Sequence, residues 1–260
     1  MPTEDSRYMR PLQLAGRLIM ENGGETYRVE ETITRMGRAF GLEGVESFAV
    51  PSGLFVSYKR TDGTTETAVM RVHKGATNLS RVDAVNAVSR QVEAGALTCE
   101  EALTQLEEIE RRPSFVTRPM LVLGAAVSSC GFAAMFGGGA ADVAVAAAVA
   151  GLVQAISQLL ERYHMHALVS TLLGSLLSSL LPMIFHALTG LGTVEIIVAG
   201  ALMPLLPGLA MTNAVQDTMR GDMVSGLSHG ISALLTAALV AGGALMSSGL
   251  MGLIGGGGAL

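Results

Sequence analysis

Charge is distributed along this chain in a way that few folds tolerate. Of its 17 lysines and arginines, all but Arg162 and Arg220 precede Pro119, and the 142 residues from Pro119 onward hold only five acids and no lysine. A water-facing surface needs charge on most of its exposed faces, whereas a helix in hydrocarbon must avoid it. The second half is therefore expected to be an α-helical membrane bundle, residues 119–260. Five apolar segments stand out in it, at 119–136, 140–160, 167–188, 194–211 and 231–254. Each lies close to the ~20 residues that cross a ~30 Å hydrocarbon core at ~1.5 Å per residue.

The first 118 residues are different in kind. They carry 15 bases and 17 acids, interleaved with apolar positions, and read as a small α+β domain over 1–113 joined by a linker at 114–118. Mixed charge of this sort excludes a nucleic-acid footprint. Pro11 opens an amphipathic helix that ends near Gly23 and Gly24; Val29, Ile33, Met36 and Phe40 mark a second, with Thr26 as its expected cap and Gly41 as its stop. Runs at 45–50, 54–58 and 65–72, separated by Pro51, Ser52 and Gly53 and by Asp62 and Gly63, predict an antiparallel sheet. A helix over 78–93 follows, striped by Leu79, Val82, Val85, Val88 and Val92. Thr98 and Glu101 form a capping-box pattern that opens the last soluble helix, closed by Arg111, Arg112 and Pro113.

Met1 to Arg10 is short and charged, without the apolar core of a signal peptide, so the front domain is expected on the cytoplasmic side. Arg162 and Arg220 then fall in inside connections, the connections near Gly138 and Gly190 carry no base, and five spans leave the C-terminus outside. Ala140, Ala144 and Ala148 lie on one line, and Gly243 with Ser247 and Ser248 with Gly252 have small-xxx-small spacing, which suits close helix contact and a further partner in the membrane, a second copy included.

Chemistry concentrates in 193–230. Pro204, Pro207 and Gly208 should break the fourth span and leave backbone groups without helical partners, the arrangement that many secondary transporters use for small solutes; a packing kink is the other reading. Gln154 and Gln158, one turn apart, either line a path or bond between spans. Asn213, Asp217, Asp222 and His229 follow the break; Asp217, three residues before Arg220, suits either a local ion pair or an ion-coupling role. Asp142 and Glu195 sit where caps are expected, with ion binding as the second option. His164 and His166 do not share a helix face, Cys99 and Cys130 fall on opposite sides of the domain boundary, and no metal set or cofactor motif is present. Nor is any hydrolase signature; Ser52, with His73 across the sheet, is the best nucleophile candidate and reads as a turn serine. A membrane-tethered hydrolase and a non-transporting scaffold or sensor remain as alternatives to a transporter.

Several stretches taken in order, GGETYRVEET at 23–32, PSG at 51–53, NLSRV at 78–82, FGG at 136–138 with Asp142, and LPGLAMTNAVQD at 206–217 followed by Gly221 and Asp222, resemble the threonine/serine exporter (ThrE) family, and among its members the YjjP-like split subunits. The resemblance spans nearly the whole chain. It implies a bacterial inner-membrane exporter and not an enzyme, with threonine and serine the substrates associated with fused members and succinate with a split pair. Fused members resemble this chain plus a second, shorter membrane half, so the resemblance also implies a separate YjjB-like partner. It raises Asn213, Asp217 and Asp222 as site residues and makes Glu25, Arg28 and Asn78 candidates for coupling the front domain to the bundle.

Overall fold

The computed structural model describes residues 7–73 and 77–254. Most of the Met1 to Arg10 stretch and the glycine-rich tail at 255–260 therefore lie outside the described residues. The chain forms two compact units, one of Met1–Ser114 with Leu209–Ile231, the other of Phe115–Gly208 with Ser232–Leu260.

The first unit begins with α1 (Met9–Glu21), α2 (Thr26–Ala39), the strands β1 (Glu43–Val50), β2 (Gly53–Lys59) and β3 (Thr65–Arg71), then α3 (Leu79–Glu93) and α4 (Cys99–Arg111). The three strands pair antiparallel in the order β1-β2-β3. Period-2 alternation sends Leu54, Val56 and Tyr58 of β2 inward, where all are fully buried, and leaves Phe48, Phe55 and Val69 as an exposed row across the sheet. Leu12, Leu18 and Ile19 of α1 and Ile33 and Met36 of α2 complete the core with Val85 and Leu106. Each such side chain contributes about 1.5–3 kcal/mol by leaving water. Gly16 lets α1 come down on the sheet, since a Cβ there would lie 2.6 Å from Leu54 Cδ2. The Thr98 and Glu101 capping box forms as expected, and the Asn78 side chain caps α3 by accepting from Arg81 N–H.

Thr26 does not cap α2. Glu25 holds the N-cap position, and Thr26 is the first helical residue, buried, with its hydroxyl turned away from its own helix.

In the second unit, α5 (Arg118–Met135), α6 (Ala140–Arg162), α7 (Ala167–Thr189) and α8 (Val194–Leu202) pack with the later part of α10 (Met223–Ile254). Small residues carry the contacts. A Cβ on Gly200 would lie 2.9 Å from Ala133 Cβ, and one on Gly243 would lie 2.7 Å from the Leu172 carbonyl. The Ser129 hydroxyl donates to the Ala146 carbonyl at 3.0 Å, and Ser175 donates to Val240. Leucines such as Leu123, Leu188 and Leu245 point outward. Burying small and hydroxyl groups while exposing leucine is the packing expected where hydrocarbon replaces water.

Among the described residues four helices are long and apolar enough to cross a membrane, or five if the broken pair at 194–219 counts as one span. The expected fourth span is helical only to Leu202. A single 3-10 turn covers Met203–Leu205, Leu206 is extended, and α9 (Gly208–Met219) starts afresh. Neither Pro204 nor Pro207 donates an N–H, and Pro207 holds its predecessor Leu206 in the extended region, whereas Met203 before Pro204 keeps helical angles. The fifth segment begins earlier than expected, at Met223. At ~1.5 Å per residue its 32 residues reach about 48 Å, well beyond the hydrocarbon thickness.

Candidate functional site

The segment from Leu209 to Ile231 is a helical hairpin inside the first unit. Its turn depends on Gly221, at φ 89°, and Asp222 N–H closes α9 on the Asp217 carbonyl at 2.9 Å. Asp222 then starts α10, its Oδ1 accepting from Ser225 N–H at 3.1 Å. The two legs touch at Gly226, where a Cβ would run into Thr218. The first leg inverts the usual amphipathic plan: Asn213 and Asp217 are buried while Leu209, Met211, Val215 and Met219 are exposed.

The buried side of the hairpin meets α2 and β1. The Thr26 hydroxyl lies 3.0 Å from Asp217 Oδ1 and 3.1 Å from Asp222 Oδ2. His229 Nδ1 lies 3.0 Å from Asp217 Oδ2, and the Asp217 side chain is wholly buried. Ser225 donates to the Ala49 carbonyl at 3.4 Å, while Ala49 N–H donates to Glu30 Oε1 at 3.0 Å. Burial pushes the Glu30 carboxyl above its ordinary range, and the negative fields of Asp222 and Asp217 push it further, against the pull of the Ala49 hydrogen bond. Three acids thus approach one another from α2, α9 and the start of α10.

Arg220 does not pair with Asp217. Its guanidinium lies over the Tyr27 ring, 3.5 Å from the centroid, and the Asp217 carboxylate points inward to His229 and Thr26 instead. Beside it an open cleft of about 820 Å³ is lined by Tyr27, Glu30, Arg35, Arg38 and Arg220 among others.

The other expected residues are placed as follows. Asp142 caps α6 through Gly139 N–H at 2.9 Å and binds Thr193 N–H at 2.6 Å, so both of its oxygens are occupied by backbone. Gln158 donates to the Arg118 carbonyl at 3.0 Å, a bond between helices, and Gln154 is half-buried on the same helix. Pro204 and Gly208 are exposed at the break and Pro207 is half-buried. Glu25 and Arg28 pair with each other at 2.9 Å, and Asn78 serves as a cap. His164 and His166 lie at the turn between α6 and α7, His166 accepting from Leu168 N–H. Among the described residues no group of three His, Cys, Asp or Glu side chains has the arrangement of a metal site. Sequence reasoning passed over Thr26, Tyr27 and Glu30 as site residues, and named His229 without a partner; the stretch GGETYRVEET contained the first three, but nothing in it signalled a partner about 190 residues away.

Several apolar helices long enough to cross a bilayer, packed through small residues, define a multi-pass membrane protein. The chain belongs to the threonine/serine exporter family: the profile described as "Putative threonine/serine exporter" matches residues 12–251. That family is one of exporters, not of enzymes. Among relatives, the chain is 26% identical over 250 residues to the "Probable succinate transporter subunit YjjP" of Escherichia coli K12, covering 93% of this chain and 94% of that protein. The protein of the same name from Klebsiella aerogenes is 28% identical over 231 residues, 86% of each chain. The "Probable threonine/serine exporter" of Mycobacterium tuberculosis is 24% identical over 244 residues, which is 92% of this chain and 46% of that protein. No solved structure matches.

Proposed function

We propose that this chain is one subunit of a secondary transporter of the bacterial inner membrane that exports small carboxylate-bearing metabolites, threonine and serine or a dicarboxylate such as succinate. Its partner in this reading is a YjjB-like small membrane subunit, residues 1–113 face the cytoplasm, and the C-terminus lies outside. Relatives named as a transporter subunit, one of them matched along nearly its whole length, support the split arrangement. The Mycobacterium tuberculosis exporter, of which this chain matches 46%, holds a further region of the size that a partner subunit would supply in this reading.

The observation that carries the mechanism is the single hydroxyl of Thr26 between two carboxylates. One hydroxyl has one proton to donate, so it satisfies Asp217 or Asp222 but not both. A proton added to either acid lets that acid donate to Thr26 Oγ1 while Thr26 donates to the other, which completes the triad. The Asp217 and His229 pair supplies a second exchangeable proton at 3.0 Å. Asp217 and Asp222 are thereby the coupling residues, and Thr26 links them to α2. In the second unit the solute path runs by the break at Pro204, Pro207 and Gly208, with Gln154 and Gln158 as polar groups; in the first, Asn213 is the buried polar group beside the coupling acids. Glu25 and Arg28, paired at the start of α2 beside Thr26, and Asn78, which caps α3, are the residues proposed to couple residues 1–113 to transport.

Efflux of labelled threonine, serine and succinate from vesicles holding the chain with its partner subunit, measured across pH, tests this reading. Asp217→Asn and Asp222→Asn, each assembled normally, should lower export at least tenfold or flatten its pH profile. Unchanged rate and pH profile in both variants would rule out proton coupling at this cluster.

A further inference from the structure

The cleft beside the acid cluster has a composition that the coupling scheme does not use. Arg28 is held by Glu25, and Arg35 by Glu31 at 2.5 Å with Glu93 at 3.6 Å. Arg38 and Arg220 line the same cleft, and among the described residues neither reaches a carboxylate. Arg220 is nonetheless held in place, since its guanidinium carbon lies 3.5 Å over the Tyr27 ring centroid and the Tyr27 hydroxyl accepts from Arg28 Nε at 3.4 Å. A guanidinium stacked by one face keeps its N–H edge free, and that edge matches a carboxylate in bidentate fashion. Glu30 also lines the cleft, and its carboxyl, which accepts from Ala49 N–H, feels the fields of Asp217 and Asp222.

We propose that this cleft is a binding site for a small carboxylate-bearing solute, with Arg220 on its Tyr27 platform as the primary anchor and Arg38 as the second. The volume of about 820 Å³ is ample for a molecule of the size of succinate or serine. A dicarboxylate places one carboxylate on Arg220 and directs the other along the cleft toward Arg38. An α-amino acid places its carboxylate on Arg220 and its ammonium toward Glu30. The site rests on the transporter reading only for the choice of solute: there it is where the solute is first captured, next to the groups that exchange protons.

Binding is measured on the full chain in nanodiscs by titration calorimetry, without transport, using succinate, serine and the uncharged succinamide. Succinate or serine should bind with millimolar or better affinity and succinamide should not. Arg220→Gln should weaken the carboxylate that binds by about tenfold or more, the loss expected for one charge-assisted bidentate contact, and Arg38→Gln should weaken succinate more than serine. Arg220→Lys should recover only part, since ammonium cannot stack or chelate in the same way. Thermal unfolding checks that each variant is folded. Equal affinity in the parent and both glutamine variants, or equal binding of succinamide, overturns the proposal. Carboxylate binding that depends on Arg220 in a chain that exports nothing with its partner leaves this site standing and removes the transporter reading. Export with arginine-independent binding does the reverse.

Discussion

Leu12 and Leu245 answer opposite demands. Leu12, in the first unit, is fully buried among apolar neighbours, while Leu245, in the second, is 74% exposed on a helix whose contacts are made by Gly243 and Ser247. Nearly all of the largest fully buried side chains belong to the first unit, with Ile197 the exception. One unit is stabilised by taking leucine out of water, the other by letting backbones approach closely and leaving leucine for lipid. The hairpin at 209–231 belongs by contact to the first unit but follows the second unit's rule, with methionine and valine outward and aspartate inward.

That contrast can be broken by substitution. Leu12→Ala should cost about 2–5 kcal/mol in unfolding of the detergent-solubilised protein, whereas Leu245→Ala should change it by less than ~0.5 kcal/mol. A comparable cost at both would mean that Leu245 is covered. Gly243→Ala reverses the scale of the change: one added methyl should destabilise by about 1–3 kcal/mol, because the atoms it meets are the Leu172 carbonyl and Leu176 N–H of the neighbouring helix. Stability equal to that of the parent protein would show that the seam is loose.

Finer tests bear on the first unit alone. Thr98→Ala should lose about 1 kcal/mol with the capping box, a local effect that leaves export intact. The smallest expected effect is one of pH. The folded protein holds the Glu30 proton more tightly than the unfolded chain does, so its penalty is complete above the raised folded value and disappears below the ordinary glutamate range. Glu30→Gln, which keeps an acceptor for Ala49 N–H, should therefore unfold at a slightly higher temperature than the parent at pH 7 to 8, and the two curves should converge near pH 4. A gap that widens on acidification would contradict the burial argument.

Much of the fold was legible because it is local. Period, caps and turn residues placed the helices and strands of the first 113 residues, and the Thr98 box formed as its spacing required. The break at Pro204 and Pro207 was equally readable, since proline acts on its own turn. What sequence could not supply was partnership at long range. Thr26 looked like a cap because a threonine before a helical run is one in most settings; here two carboxylates outcompete its own backbone. Arg220 looked like a partner for Asp217 at three-residue spacing, and a tyrosine from α2 took it instead. Of the site, sequence offered the acids and the family motifs, but not that α2 and the hairpin assemble them.

The 191-residue separation between Thr26 and Asp217 also sets an order of events on the ribosome. At about 5–20 residues per second, α2 is complete roughly 10–40 s before its acidic partners are synthesised, and the apolar segments of the second unit are made in the interval. The first unit is closed only by residues translated after most of the membrane segments. Newly made chains arrested between residues 114 and 209 should therefore expose Thr26 and Glu30 to protease and solvent exchange, and acquire protection there once Asp222 has emerged.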